Sequence, residues 1–450
     1  MNGRSFTLST ATPVAAESSP TLRSVTRLVG EAVDLPALLG LFHPRTAGAS
    51  LFVDPDGGEA IVSEGVAWQA PGGERGLAGW GEAASAWRAL VASARLEGPG
   101  PDAPGPILIG GAAFDAEAPV GALWRAFGRG RLLLPRRAWT LLRDGRLYEC
   151  LSTVEGAPSA PSAAVPAGGE DTEPEPEAAG GEGEARFRAR IDAARAAVAR
   201  GDLEKLVVAR RWDVASRMAP EEVLARLAGR ERTSFTFALA AGGEVFCGST
   251  PELLARLRAD RVESVCLAAT AARGEGAGAD RRLGDRLRSD RKELREHDLV
   301  RQGVARALLR TCDDIVLAPR PSLRALADVQ HLATPVRARL RPGFDLLDVA
   351  RDLHPTPAVA GLPQTEAALW LRRFEGLRRG LYAGPVGFLR ASGEGVLAVA
   401  LRSALLRPEA SKAHLFAGCG IVAASEAGRE WQESRLKMRT MATALGVAEL

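Results

Sequence analysis

The residues best placed to do chemistry lie near the C-terminus, in Phe416-Ala-Gly-Cys-Gly-Ile-Val-Ala-Ala-Ser-Glu-Ala-Gly-Arg-Glu-Trp-Gln-Glu-Ser-Arg-Leu-Lys437. Glu430, Glu433 and Lys437 fall at i, i+3 and i+7, which puts two carboxylates and an ammonium on one helical face. Such carboxylates suit a hard divalent cation like Mg²⁺. Ahead of them, an apolar strand reads as entering a tight Gly418-Cys419-Gly420 turn, whose backbone N–H groups suit an anion. One short segment can thus hold an anionic substrate and its metal together. The same Glu-x-x-Glu spacing also occurs on ordinary solvated helix faces, so the reading depends on matching residues elsewhere.

Four such places exist. In Asp202-Leu-Glu-Lys-Leu-Val-Val-Ala-Arg210, read as a strand, Lys205 shares a face with Val207 and Ala209. It is either an edge-strand gatekeeper or a buried functional amine. Gly248-Ser-Thr-Pro-Glu252 predicts a helix start, with Thr250 as N-cap, Pro251 at N1 and Glu252 in the first turn, where a capping acid is common. Asp280 to Arg310 predicts a charged helix broken near Ser289 and carrying Glu296-His297. Arg402 follows the apolar run Val396-Leu-Ala-Val-Ala-Leu401 and shares a strand face with Ala398 and Ala400. An arginine over small residues can reach a carboxylate in a bidentate way.

These groups need a large scaffold, and the chain supplies one. Its 450 residues are 46% hydrophobic and 25% charged, enough for one large or two medium domains. Net charge is +3, from 58 basic and 55 acidic residues, which gives no footprint for nucleic acid or an anionic membrane. Cys150, Cys247, Cys266, Cys312 and Cys419 form no Cys-x-x-Cys pair, so neither a disulfide framework nor a zinc site is expected. No run approaches the ~18 apolar residues of a membrane span, and the first residues lack a signal-peptide core. A cytoplasmic protein is expected.

The chain divides into four parts. Residues 1–24 read as a loose N-terminus. Residues 25–152 alternate short strands with turns, around a helix over 81–95 with Ala84, Trp87, Leu90 and Val91 on one side. Residues 153–185 contain no Leu, Ile, aromatic, Lys or Arg and read as a disordered linker. Residues 186–450 carry every candidate named above.

Taken in order, eight motifs resemble the chorismate-utilising enzymes, a family that includes anthranilate synthase component I and the aminodeoxychorismate, salicylate and isochorismate synthases. They are Lys205-Leu-Val-Val-Ala-Arg210, Gly248-Ser-Thr-Pro-Glu252, Ser289 through Lys292 to Glu296-His297, Gln330-His-Leu-Ala-Thr334, His354-Pro-Thr-Pro-Ala358, Arg379-Gly-Leu-Tyr-Ala-Gly384, Phe416-Ala-Gly-Cys-Gly-Ile-Val422 and Glu430-Trp-Gln-Glu433. Each is weak alone; the set, in register from Phe187 to Leu445, is specific. The resemblance implies an α+β sandwich of two largely antiparallel sheets with helices outside, to which residues 25–152 also contribute.

It also implies roles. Lys205 matches the base that activates water and Glu252 the general acid. Glu296, Glu430 and Glu433 match acids that bind Mg²⁺. Arg402 and Tyr382 match groups that hold the enolpyruvyl carboxylate of chorismate, and Gly418 and Gly420 offer backbone donors to a carboxylate. Lys437, Thr270, His331, Ala269 and Ala358 line the same site. Lys205, Ala268 and Ala358 stand where anthranilate synthases usually carry Gln, many aminodeoxychorismate synthases Lys, and ammonia-using or lyase members often Thr. That combination resembles the isochorismate synthases, which feed menaquinone or catechol siderophores. A salicylate synthase is the alternative, and a non-catalytic relative a third reading. Neither an amidotransferase subunit nor an oligomer is expected. Three departures from the family pattern stand out. Ala269 replaces a usual Gly, Ala271-Ala272-Arg273 a common Arg-Pro-Arg, and Cys419 a usual Ala.

Overall fold

The computed structural model describes residues 20–100, 103–156 and 183–447. Its described residues form a twelve-stranded and a ten-stranded sheet. Every strand pairing is antiparallel except that of Thr21–Gly30 with Arg95–Glu97. The two sheets pack face to face. Phe52, packed on Phe235 of its own sheet, meets Phe388 of the other, with ring centroids 5.7 Å apart. Residues 25–152 place strands in both sheets, including Ser50–Asp54 in the larger and Ile107–Ala112 in the smaller. The buried core is therefore shared between both halves of the chain.

Local chemistry explains several elements. Gly242 and Gly243 both take positive φ, 58° and 80°, and close the hairpin Phe235–Ala241/Glu244–Thr250 as a two-residue turn requires. Helix Glu184–Ala199 buries Phe187, Ile191 and Ala194 and ends before Gly201, whose φ is 83°. The long charged helix is broken at Asp290: Gly276–Ser289 precedes it and Arg291–Leu308 follows. The Asp290 carboxylate accepts from the Lys292 and Glu293 amides, at 2.9 and 3.2 Å, and so caps the second helix. Helices Glu184–Ala199 and Ala427–Ala444 lie over strands Lys205–Ala215 and Lys412–Ile421; Arg291–Leu308 lies over Arg261–Ala272.

Four expectations are corrected. Thr250 and Glu252 do not start a helix. Glu244–Thr250 runs in the large sheet and Leu253–Arg258 in the small one, because Leu253, Ala255 and Leu257 alternate as a strand and pair with Gly395–Val399. Arg402 does not share a strand face with Ala398 and Ala400. Gly395–Val399 ends in one sheet and Ser403–Arg407 begins in the other, and Arg402 crosses between them with φ 47°. Gly418-Cys419-Gly420 is not a turn but the end of strand Lys412–Ile421. Finally, the sheet claims residues at two edges: strand Thr21–Gly30 starts before residue 25, and Leu147–Glu155 runs past 152 to pair with it. Most of the linker, residues 157–182, lies outside the described residues. Helix Glu184–Ala199 begins just after it.

Replacing residues 157–182 by a Gly/Ser segment of equal length should leave turnover within a few fold, since composition there offers nothing to a packed core. Loss of soluble expression in that variant would refute the linker assignment.

Candidate active site

Two adjacent strands form the floor. Lys205–Ala215 pairs antiparallel with Lys412–Ile421, Val207 opposite Gly420 and Val208 opposite Cys419. The Val207 amide donates to Ala360 O at 2.7 Å, on the far side from this partner. By the alternation of antiparallel ladders, Val208 and Cys419 therefore exchange bonds, and the N–H groups of Gly418 and Gly420 point away from the lysine strand. Neither glycine has positive φ. What matters is the missing Cβ. One on Gly420 would stand 2.2 Å from Glu296 Oε1 and 3.1 Å from Lys205 Cε; one on Gly418 would stand 3.3 Å from the Tyr382 hydroxyl.

Acids from two helices converge above this floor, each held by a lysine. Lys205 Nζ lies 3.1 Å from Glu296 Oε1, Lys292 Nζ 3.3 Å from Glu430 Oε1, and Lys437 Nζ 2.6 Å from Glu433 Oε1. Lys437 also donates to Gly418 O at 2.9 Å. Burial alone would raise the Glu296 carboxyl, but Lys205 and Lys292 outweigh it and hold it below the usual range. Glu430 is different: burial and neighbouring Glu433 push it up to about 7. Glu293, one turn before Glu296, is pushed up to about 7 by burial and by Glu296. The pairs crowd the cavity, whose free volume is about 70 Å³.

The opposite wall carries cationic and neutral donors. In strand Arg261–Ala272 the register with Val329–Leu340 slips between Ala268 and Thr270, leaving Ala269 bulged at φ 61°. That conformation favours glycine, which accounts for the family's usual residue there. His331 Nδ1 lies 3.2 Å from both Ala269 O and Thr270 Oγ1, while its Nε2 accepts from Arg402 at 3.0 Å. Nδ1 must then carry the proton. Burial and Arg402 hold this imidazole neutral, well below its usual pKa. Tyr382 stacks on Phe416, 5.2 Å between centroids, and burial raises its phenol to about 12, so it acts as a neutral donor. Glu252, fully in the wall, is raised by burial to about 7; Thr356 Oγ1 donates to its Oε1 at 3.5 Å.

The structure brings the sequence candidates together. Glu252, Ala269, Thr270, Glu296, His331, Ala358, Tyr382, Arg402, Gly418, Gly420, Glu433 and Lys437 all line one cavity. Lys205 and Glu430 stand just behind that lining, turned to Glu296 and Lys292. Sequence reading missed the working position of Lys292 and Glu293, although both lie within a turn of Glu296 on one helix. It also missed the Glu375–Arg379 pair. Arg379 donates to both Glu375 oxygens at 2.7 and 2.5 Å, to Val359 O at 2.8 Å and to Val207 O at 2.7 Å, while Ala209 N donates to Glu375. The i,i+4 spacing of Glu375 and Arg379 is a local signal for the pair itself, but nothing local marks their contacts with Val207, Ala209 and Val359.

The donor set fits a hard cation. Glu430 and Glu433 have carboxylate oxygens within 4.8 Å of each other and of Cys419 Sγ. The thiol already donates to Glu430 O at 3.1 Å, and burial raises it well above its usual pKa, so oxygen ligands remain. Glu296, turned to Lys205, stands outside that tightest group.

The chain matches the chorismate binding enzyme family over residues 8–446. It belongs to that family. Among curated relatives, the salicylate biosynthesis isochorismate synthase of Pseudomonas aeruginosa is 36% identical over 376 residues, 80% of this chain and 77% of that protein. The isochorismate synthase MenF of Bacillus subtilis is 33% identical, over 76% of this chain and 75% of its own length. Among solved structures, the menaquinone-specific isochorismate synthase MenF of Escherichia coli superposes with a TM-score of 0.74 at 24% identity, covering 95% of each chain. Anthranilate synthase component I of Streptococcus pneumoniae gives a TM-score of 0.61 at 21% identity, over 75% of this chain and 80% of that one. These two likenesses bear on the fold, and the two-sheet sandwich is that of the chorismate binding enzymes. Among the described residues no helix is long and apolar enough to cross a membrane.

The paired acids make opposite stability predictions. Glu430 is raised in the folded state, so folding binds a proton between about pH 4.5 and 7, and stability falls as pH rises through that window. Glu296 is lowered, so its contribution is present above about 4.5 and lost as pH falls. At pH 8 in EDTA, Glu430→Gln should melt at or above the parent, since Lys292 keeps Glu293 at 3.3 Å. Glu296→Gln should melt several degrees lower, because it strands the buried Lys205 ammonium. Differential scanning calorimetry giving the reverse order would overturn this account.

Proposed function

We propose that this chain is an isochorismate synthase, an isomerase that converts chorismate to isochorismate with Mg²⁺. The observation that carries the reading is the buried carboxyl of Glu252 in the wall of one cavity with Arg402, Tyr382 and Glu296, the last paired with Lys205 at 3.1 Å. Relatives named isochorismate synthase at 36% and 33% identity support it.

Isomerisation adds water at C2 of the ring and expels the C4 hydroxyl. A base must take a proton from the water while an acid gives one to the leaving oxygen. Lys205 is the base and Glu252 the acid. A lysine serves as base only in its neutral form. Arg402, locked by neutral His331, and the Tyr382 phenol hold the enolpyruvyl carboxylate. The Gly418 and Gly420 amides with Lys437 receive the ring carboxylate. Glu296, Glu430 and Glu433 would hold Mg²⁺, which supplies charge neutralisation and orientation for that carboxylate. Glu293 stands close behind them. The same three acids are the ones that Lys205, Lys292 and Lys437 pair with. A cytoplasmic enzyme working without an amidotransferase fits water as the nucleophile.

Lys205→Gln and Lys205→Arg should each lose at least ~10²-fold in turnover, the usual share of general acid–base catalysis, and so should Glu252→Gln. Guanidinium does not deprotonate in this range. Chorismate binding, read by calorimetry, should persist in all three. The parent's rate should also fall as pH rises past about 7, where Glu252 loses its proton. Chromatography of the chorismate reaction identifies the product: isochorismate alone supports this function, salicylate with pyruvate the alternative, and no turnover a non-catalytic protein. A Lys205→Arg variant near the parent rate would end the general-base assignment.

A further inference from the structure

A second cavity is far roomier than the catalytic one. Its volume is about 600 Å³, within the ordinary range of small-molecule sites. Its floor is apolar, with Ile109, Leu133, Leu239 and Phe127. Three arginines, Arg45, Arg131 and Arg136, line it, and no carboxylate does among the described residues. Among the described residues none of the three forms an ion pair with a carboxylate. Arg131 donates from one guanidinium nitrogen to Ala126 O, at 3.2 Å, and burial lowers its pKa. Half-buried Arg131 thus differs from Arg256, which meets Asp54 at 2.6 Å, and from Arg379, which meets Glu375 at 2.5 Å.

The cavity is separate from the catalytic site. Between them run four rings in contact: Phe127 with Trp124 at 6.1 Å, Trp124 with Phe416 at 5.5 Å, and Phe416 with Tyr382 at 5.2 Å. Phe127 lines the second cavity, while Phe416 and Tyr382 line the first. The main chain contributes as well. Gly242 and Gly243, at the tip of a tight hairpin, form part of the rim without side chains to block entry.

We propose that this cavity is a binding site for an amphipathic organic anion, whose apolar body rests on Ile109, Leu133 and Leu239 and whose charged group meets Arg45, Arg131 and Arg136. Nothing in the catalytic reaction uses these residues. An apolar floor alone would take a neutral ligand, and arginines alone would attract inorganic anions. Together they select a molecule with both parts.

Fluorescence titration of the full chain with 8-anilinonaphthalene-1-sulfonate tests this, with uncharged N-phenyl-1-naphthylamine beside it. The parent should bind the sulfonate more tightly. Arg131→Gln, and separately Arg45→Gln/Arg136→Gln, should weaken sulfonate binding by ~10-fold, the scale of a lost charge-assisted contact, and leave the neutral probe unchanged. Ala240→Trp, which fills the cavity, should remove both probes. Arg45 and Arg136 are exposed, so their substitution does not threaten folding; circular dichroism confirms it. Sulfonate binding that is unchanged in the arginine variants, or that matches the neutral probe in the parent, would overturn the proposal.

Discussion

Four carboxylates, of Glu293, Glu296, Glu430 and Glu433, share one nearly dry space, and the structure depends on how their repulsion is relieved. Like charges this close cannot all stay ionised without counter-charge. The lysines that answer them come from three places: Lys205 from a strand, Lys292 from one helix and Lys437 from another. Two of the ion pairs therefore also join two elements, and the third, Lys437 with Glu433, lies within one helix. The lysine strand is tied to helix Arg291–Leu308, that helix to Ala427–Ala444, and the last helix, through Lys437 and Gly418, back to the floor. The same arrangement that balances charge fixes the positions of the candidate catalytic groups.

A second buried pair, whose Arg379 also lines the cavity, does the equivalent work along the edge of the lysine strand. Arg379 spends its donors on Glu375, Val359 and Val207, and Glu375 takes the Ala209 amide. With both members fully hydrogen-bonded, the pair escapes the heavy penalty of stranded buried charge. It clamps the strand carrying Lys205 to the loop carrying Ala358 and to the turn carrying Tyr382. Arg210 adds to this order from the other side. It stacks on Trp431 at 4.0 Å and donates to Ser434 at 2.7 Å, which sets the helix on which Glu430 and Glu433 ride.

Much of this was legible in the sequence, for physical reasons. Period two placed Lys205 on one face with Val207 and Ala209. Helical spacing placed Glu430, Glu433 and Lys437 together. Where the reading failed, tertiary pairing overrode local grammar. Thr250-Pro251-Glu252 has the letters of a helix start, yet the alternation that follows belongs to a strand joined by a distant partner. Gly418 and Gly420 suggested a bend, but both are glycine because Tyr382 and Glu296 occupy the space a Cβ would take. That neighbour is remote in sequence and leaves no local trace. Ala269 is the converse case: its unusual φ explains a family preference that composition could not.

The crossing at Arg402 has a mechanical consequence. Only residues 400–402 separate a strand of the small sheet from a strand of the large one. The two layers cannot slide past each other without dragging that guanidinium and the imidazole behind it. A carboxylate gripped there would act as a rivet through both layers. Shear between the sheets, rather than opening of a lid, is then the motion that an occupied site would resist most.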